Sequence, residues 1–203
     1  MKMMHRIVNH LVLHSSFLKE VGLFHGRIGI SIVLYHYARY IKDPLYEEFG
    51  GILLDDVLES IPNDINIGLE NGISGIGWAV CHLLNNNFVE GDAIEVLRLI
   101  DERILEYEPL RMNDYSLENG LEGIAVYLLE RNKLISSKQD VRYPKSYLYN
   151  IEKQLMKWIW NKNYTVRSFI NKQSMARISL ETFSYDLGLH NGYAGKLMSM
   201  ITT

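Results

Sequence analysis

Four runs of this chain are apolar on more than one helical face: ISIVLYHYARYI at 30–41, IGWAVCHLL at 76–84, IAVYLLE at 124–130 and KLMSMI at 196–201. A helix that is apolar on several faces has to be buried on several sides, so these predict an inner layer. Between them lie stripes with one apolar face. Leu45, Phe49, Leu53 and Val57 form one; Ile94, Leu97, Ile100 and Ile104 the next; Ile151, Leu155, Trp158 and Ile159 a third. The segment Ile7 to Leu18 supplies the first outer helix. Start signals agree with these positions. Asp43-Pro44 reads as an N-cap followed by Pro at N1, Asp92 with Glu95 as a capping box, and Pro144 precedes the third stripe. The order along the chain is outer then inner, four times over.

The same octet precedes each inner run. The four copies are Gly22-Leu-Phe-His-Gly-Arg-Ile-Gly29, Gly68-Leu-Glu-Asn-Gly-Ile-Ser-Gly75, Ser116-Leu-Glu-Asn-Gly-Leu-Glu-Gly123 and Gly188-Leu-His-Asn-Gly-Tyr-Ala-Gly195. The leucine and the last two glycines are invariant, and glycines 26, 72, 120 and 192 are spaced by 46, 48 and 72 residues. Such a period marks a repeat architecture. In each Gly-x-x-Gly the first glycine is expected to open the helix at positive φ. The second, one turn later, lets a neighbouring helix approach, and Asn71, Asn119 and Asn191 cap the inner helices. Helix N-termini carry unpaired N–H groups and partial positive charge, so the end of the fold where they gather is the ligand-facing end. The longer third step requires an insertion. Arg177 to Thr182 alternates polar and apolar, Tyr164 to Ile170 precedes it, and Asn171 to Ser174 is a polar turn. Together they predict a small β-hairpin within 164–185 in an otherwise all-α chain.

Composition excludes several classes. A formal net charge of −3 offers no footprint for nucleic acid or an anionic membrane. The N-terminus lacks an uninterrupted apolar signal core, and no run is long enough to span a bilayer. The single cysteine, Cys81, cannot form an internal disulfide. A cytoplasmic location is the expectation that follows.

The octets resemble the turns of the lanthionine synthetase C-like family, whose (α/α) toroid of about seven hairpins repeats Gly-Leu-x-His-Gly-x-x-Gly. Gly22 to Gly29 matches that turn column for column, and the likeness extends from Gly22 to Met200. The resemblance implies a single α/α-toroid domain over 1–203, here an incomplete ring of about four hairpins. It also implies a chemistry: enzymes of the family add a cysteine thiol to a dehydrated Ser or Thr, using zinc held by two Cys and one His, with Asp, His and Arg groups handling protons. Three departures stand against that chemistry here. One cysteine cannot build a two-thiolate site. Ser116 occupies the column of the family's third-repeat acid, with Asp114 two residues away. Asn191 replaces the fourth-repeat histidine, with His190 one column early. Neither serine nor asparagine titrates near neutral pH.

The expected protein is therefore a catalytically degenerate or truncated member of that family, with no catalytic residue, metal or cofactor assigned. It would bind a peptide or a partner enzyme of peptide natural-product maturation. The ligand-facing candidates are His25, Asn71, Asp114, Ser116, Asn119, His190 and Asn191. One alternative is the N-terminal part of a zinc-dependent peptide cyclase completed by another segment or chain. Another is a glycan-processing toroid using Glu70, Glu118 and Glu122. Cys81 is expected to be a buried small hydrophobe. An open arc whose last inner helix has no outer partner is expected to self-associate or to receive a complementing chain.

Overall fold

The computed structural model describes residues 2–135, 143–155 and 186–202. Among them are eight α-helices and no strand: α1 (Lys2–His14), α2 (Arg27–Ile41), α3 (Leu45–Glu59), α4 (Ile73–Asn85), α5 (Ala93–Leu105), α6 (Leu121–Asn132), α7 (Lys145–Leu155) and α8 (Tyr193–Ile201). Outer and inner helices alternate as the apolar pattern predicts. The β-hairpin expected at 164–185 and the end of the third stripe, Trp158 and Ile159, lie outside the described residues.

The chain forms two compact units, Met1–Asn63 with Thr165–Thr203, and Asp64–Tyr164. In the first, α2 is the central element. Ile28, Ile30, Val33, Leu34 and Tyr37 are all buried, on every side of the helix. It packs on α3 and on α8, while α1 lays Ile7, Val8 and Leu11 against the same core and also contacts α8. The last inner helix is thus covered by the first outer helix, with His10 edge-on to Tyr193 at 5.0 Å. This corrects the expectation that it lacks an outer partner. Helices α2 and α3 approach closely because Gly50 faces the Tyr35 ring, and the buried Ser31 hydroxyl donates to the Gly50 carbonyl at 2.7 Å.

In the second unit α4 holds the centre, packed on α5 and α6, with α7 against α6. Gly77 marks the convergence: a Cβ there would lie 2.5 Å from the Tyr127 ring and 2.8 Å from Ile100. The predicted stripes are buried at Leu53, Val57, Leu97, Ile100, Ile104, Ile151 and Leu155, and each of the first two begins exposed, at Leu45 and Ile94. Caps lie close to their predicted places. Asp92 Oδ1 accepts from Ile94 N at 2.7 Å, and Asp43 Oδ1 accepts from Leu45 N at 3.0 Å, so Pro44 takes the N-cap position itself.

A buried polar network joins α5, α6 and the approach to α7. Asp101 Oδ2 accepts from Nε and Nη2 of Arg131, both at 3.2 Å, while Asp101 Oδ1 accepts from the hydroxyls of Tyr127 and Tyr143. Arg131 is 1 % exposed and Asp101 7 %, so this pair is almost wholly withdrawn from water. Burial first, then the neighbouring charges, pushes both tyrosines up and keeps them as O–H donors. Every strong acceptor site of the carboxylate is used, the condition under which a buried ion pair is tolerated. Asp101→Ala is expected to cost about 3–5 kcal/mol by stranding the guanidinium. Tyr143→Phe, which removes one donor of four, should cost about 1–2 kcal/mol. Urea unfolding of the two variants checks both magnitudes, and equal losses would contradict the shared role of Asp101.

Candidate functional site

Each octet begins its turn two residues earlier than its first glycine or serine. The carbonyls of Glu20, Asn66, Asp114 and Asp186 accept from the amides of Arg27, Ile73, Leu121 and Tyr193 at 2.9, 2.8, 3.0 and 3.1 Å. In three copies the side chain also closes an Asx turn. Asn66, Asp114 and Asp186 accept through Oδ1 from the amides of Gly68, Ser116 and Gly188 at 2.8, 2.8 and 3.0 Å. The chain therefore doubles back on itself before the helix starts.

The doubling back corrects two expectations about the turn. The N-caps are Gly26, Gly72, Gly120 and Gly192, not the asparagines before them, and none makes a side-chain cap bond. These glycines are extended, with φ between −104 and −118, and no described glycine has positive φ. What they supply is space. A Cβ at any of the four would fall inside 3.0 Å of backbone atoms of its own turn. The glycine three residues on makes room chiefly for the carbonyl of its own turn's leucine, Leu23, Leu117 or Leu189. At Gly29 and Gly123 it also makes room for a leucine of the neighbouring turn, Leu189 and Leu69.

Turns associate in pairs within each unit. In the first, His190 N–H donates to the Phe24 carbonyl at 3.0 Å; in the second, Glu70 N–H donates to the Glu118 carbonyl at 2.9 Å. The bond joins the third column of each octet to the third column of its mate. First pairs with fourth, and second with third.

Of the predicted residues, His25, His190 and Asn191 therefore gather at one turn pair. The two imidazoles lie 5.2 Å apart between ring centroids, His190 stands edge-on to Phe24 at 5.9 Å, and His25 Nδ1 is 4.0 Å from Asp186 Oδ2. Asn191 is exposed with φ of 58°, a left-handed conformation that Asn tolerates better than most side chains. Arg27, in the sixth column, reaches outward instead and pairs with Asp56 and Ser60 of the α3 end.

Asn71, Asp114, Ser116 and Asn119 belong to the other turn pair. Asp114 closes its Asx turn through Oδ1, and the Ser116 hydroxyl accepts from Asn119 N at 3.2 Å. Asn71 Oδ1 is buried without a hydrogen-bond partner among the described residues. Glu122 titrates above the usual carboxylate range because burial and the nearby Glu118 charge both oppose its ionisation. Sequence reasoning did not find the Asx column, since Glu20 interrupts it in the first repeat, nor the importance of Asp186.

The sequence model of the lanthionine synthetase C-like protein family matches residues 1–164. The chain belongs to the lanthionine synthetase C-like family. No curated protein matches the chain. The match takes in the first three octets; the fourth lies beyond it and is tied to the others by its own sequence and by its bond to the first turn. Zinc-dependent members of this family need two thiolates. Here Cys81 is fully buried inside α4, and burial pushes its thiol well up, so it stays protonated. The described residues do not fit a two-thiolate metal site. None of the described helices is long and apolar enough to cross a membrane.

Two measurements test this geometry. Gly72→Ala is expected to cost about 2–4 kcal/mol, because the new Cβ meets backbone that closes the turn. Gly91→Ala, whose nearest neighbour would stand at 3.6 Å, should stay within about 1 kcal/mol. For Glu122 the raised folded-state pKa favours the fold only while the carboxyl is protonated, and that contribution is lost as pH rises through the folded pKa. Glu122→Gln should therefore raise Tm at pH 7 and have little effect below the usual carboxylate range; a thermal melt at each pH decides it.

Proposed function

We propose that this chain is a non-catalytic binding module of the lanthionine synthetase C-like family, recognising a peptide or a partner enzyme in peptide natural-product maturation. The observation that carries the reading is the use made of the columns where the family's cyclases keep proton-transfer groups. Ser116 and Asp114 are occupied with holding their own turn, and Asn191 serves a left-handed backbone. Neither serine nor asparagine titrates near neutral pH, and Asp114 is engaged through Oδ1 in closing its turn. The buried Cys81 thiol gives no nucleophile or metal ligand either. The first amide of each inner helix is taken by a carbonyl of its own turn, so what each turn surface offers an extended peptide is polar side chains, His25, His190, Asn191 and Asn119 among them. Self-association or a complementing chain belongs to the same reading, and Phe17 and Leu13, 82 % and 66 % exposed, are apolar groups such a contact would cover.

The carboxyl pair Glu118 and Glu122 favours a second reading, a glycan-processing enzyme in which the raised Glu122 is the general acid. One set of assays separates the two. Fluorescent linear peptides bearing cysteine and dehydroalanine are incubated with the purified chain, and anisotropy and free thiol are followed together. Binding with constant free thiol is the expected result. Thiol consumption above the protein-free rate would show a cyclase, and sugar release from a glycan panel that disappears in Glu118→Gln would show the glycan enzyme.

A further inference from the structure

We propose that His25 and His190 together form a binding site for a divalent transition-metal ion, with Asp186 orienting His25. The two imidazoles come from the first and fourth turns and are brought together by the backbone bond from His190 N–H to the Phe24 carbonyl, 3.0 Å long. A ring nitrogen of each lies within 4.8 Å of the other. Zinc–imidazole bonds are about 2.0–2.1 Å, which places two ligand nitrogens about 3.3 Å apart across a tetrahedral ion. The rings therefore need to close by at most about 1.5 Å, within reach of side-chain rotation.

The surroundings hold these rings near that geometry. His190 stands edge-on to Phe24, and both imidazoles are half-buried. Asp186 is anchored through Oδ1 by the Gly188 amide and turns Oδ2 toward His25 Nδ1 at 4.0 Å. A carboxylate that hydrogen-bonds a ligating imidazole sets the ring's tautomer and raises its basicity, and Asp186 takes that role once the ring closes the 4.0 Å separation. Two imidazoles without thiolate favour zinc, cobalt(II), nickel(II) or copper(II) over magnesium and calcium, which prefer oxygen ligands. This site shares no residue with a two-thiolate zinc centre, and it stands whether or not the chain binds peptides.

The molecule provides its own control. His10 and His14, one turn apart on α1 with ring centroids at 4.4 Å, are a second imidazole pair, carried on a single helix with His10 against Tyr193. The full chain, freed of any affinity tag, is titrated with zinc by calorimetry, and cobalt(II) is added in parallel to read ligand-field absorption. The expected result is one tight equivalent. His25→Gln and His190→Gln should each weaken it at least tenfold, and Asp186→Asn about tenfold. His10→Gln with His14→Gln should leave it unchanged, and far-UV circular dichroism should confirm the helical fold of every variant. If one histidine variant fails to fold, the other decides alone. Absence of a tight equivalent, binding that survives both His25→Gln and His190→Gln, or binding that follows the His10–His14 pair would each overturn the proposal.

Discussion

A helix that must start where its own chain has just doubled back leaves no room for a side chain at its N-cap. In this protein that constraint recurs at Gly26, Gly72, Gly120 and Gly192, and much of the observed architecture follows from it. The amide after each glycine bonds a carbonyl seven residues earlier, which closes the turn. Closing the turn brings its leucine carbonyl against the next glycine, so the invariant columns are those that face inward. It also leaves the third-column backbone free to bond a neighbouring turn. Side chains in the third and fourth columns are not part of this steric closure. That is why they can hold Phe, Glu, His or Asn while the fold stays the same.

Sequence periodicity showed the alternation of inner and outer helices because burial on several sides, as in α2, leaves a different apolar pattern from burial on one, as in α1. The octet was legible for a similar reason: steric exclusion of a Cβ tolerates no substitute, so glycine persists in the column. Hydrogen-bonding roles were harder to see. An asparagine before a helix is ordinarily a cap, yet Asn71, Asn119 and Asn191 stand one residue too early, since the glycine after each already begins the helix. Positive φ was the natural explanation for repeated glycine, and close approach of backbone proved to be the operative one. Nothing in a linear pattern marks Asp101 and Arg131, thirty residues apart, as partners; each alone resembles a solvated charge on an amphipathic helix.

The distribution of polar groups separates what holds the fold from what is available for chemistry. Asp101, Arg131, Tyr127 and Tyr143 satisfy one another in the interior, and Arg27 with Asp56 ties an inner helix to the end of its outer neighbour. Cys81 packs as an apolar side chain. At the turns the exposed and half-buried polar groups include the His25 and His190 imidazoles, the Glu118 and Asp186 carboxylates and the Asn119 and Asn191 amides. The groups that support the scaffold are therefore different from those presented at its turns.

The register of turn pairing changes the meaning of a histidine that looks displaced. By comparison with its family, His190 stands one column early and Asn191 takes the expected histidine's place. The backbone bond joins third column to third column, however, so His190 lies directly opposite Phe24, and the neighbour of Phe24 is His25. Asn191 in the fourth column of the last turn holds a left-handed conformation that the fourth-column residues of the other turns do not share. In the third column the His190 imidazole lies 5.2 Å from that of His25, which has the Asp186 carboxylate beside it. The first and fourth turns thus bring two imidazoles and a carboxylate together, although the fourth-turn histidine stands one column from its family position.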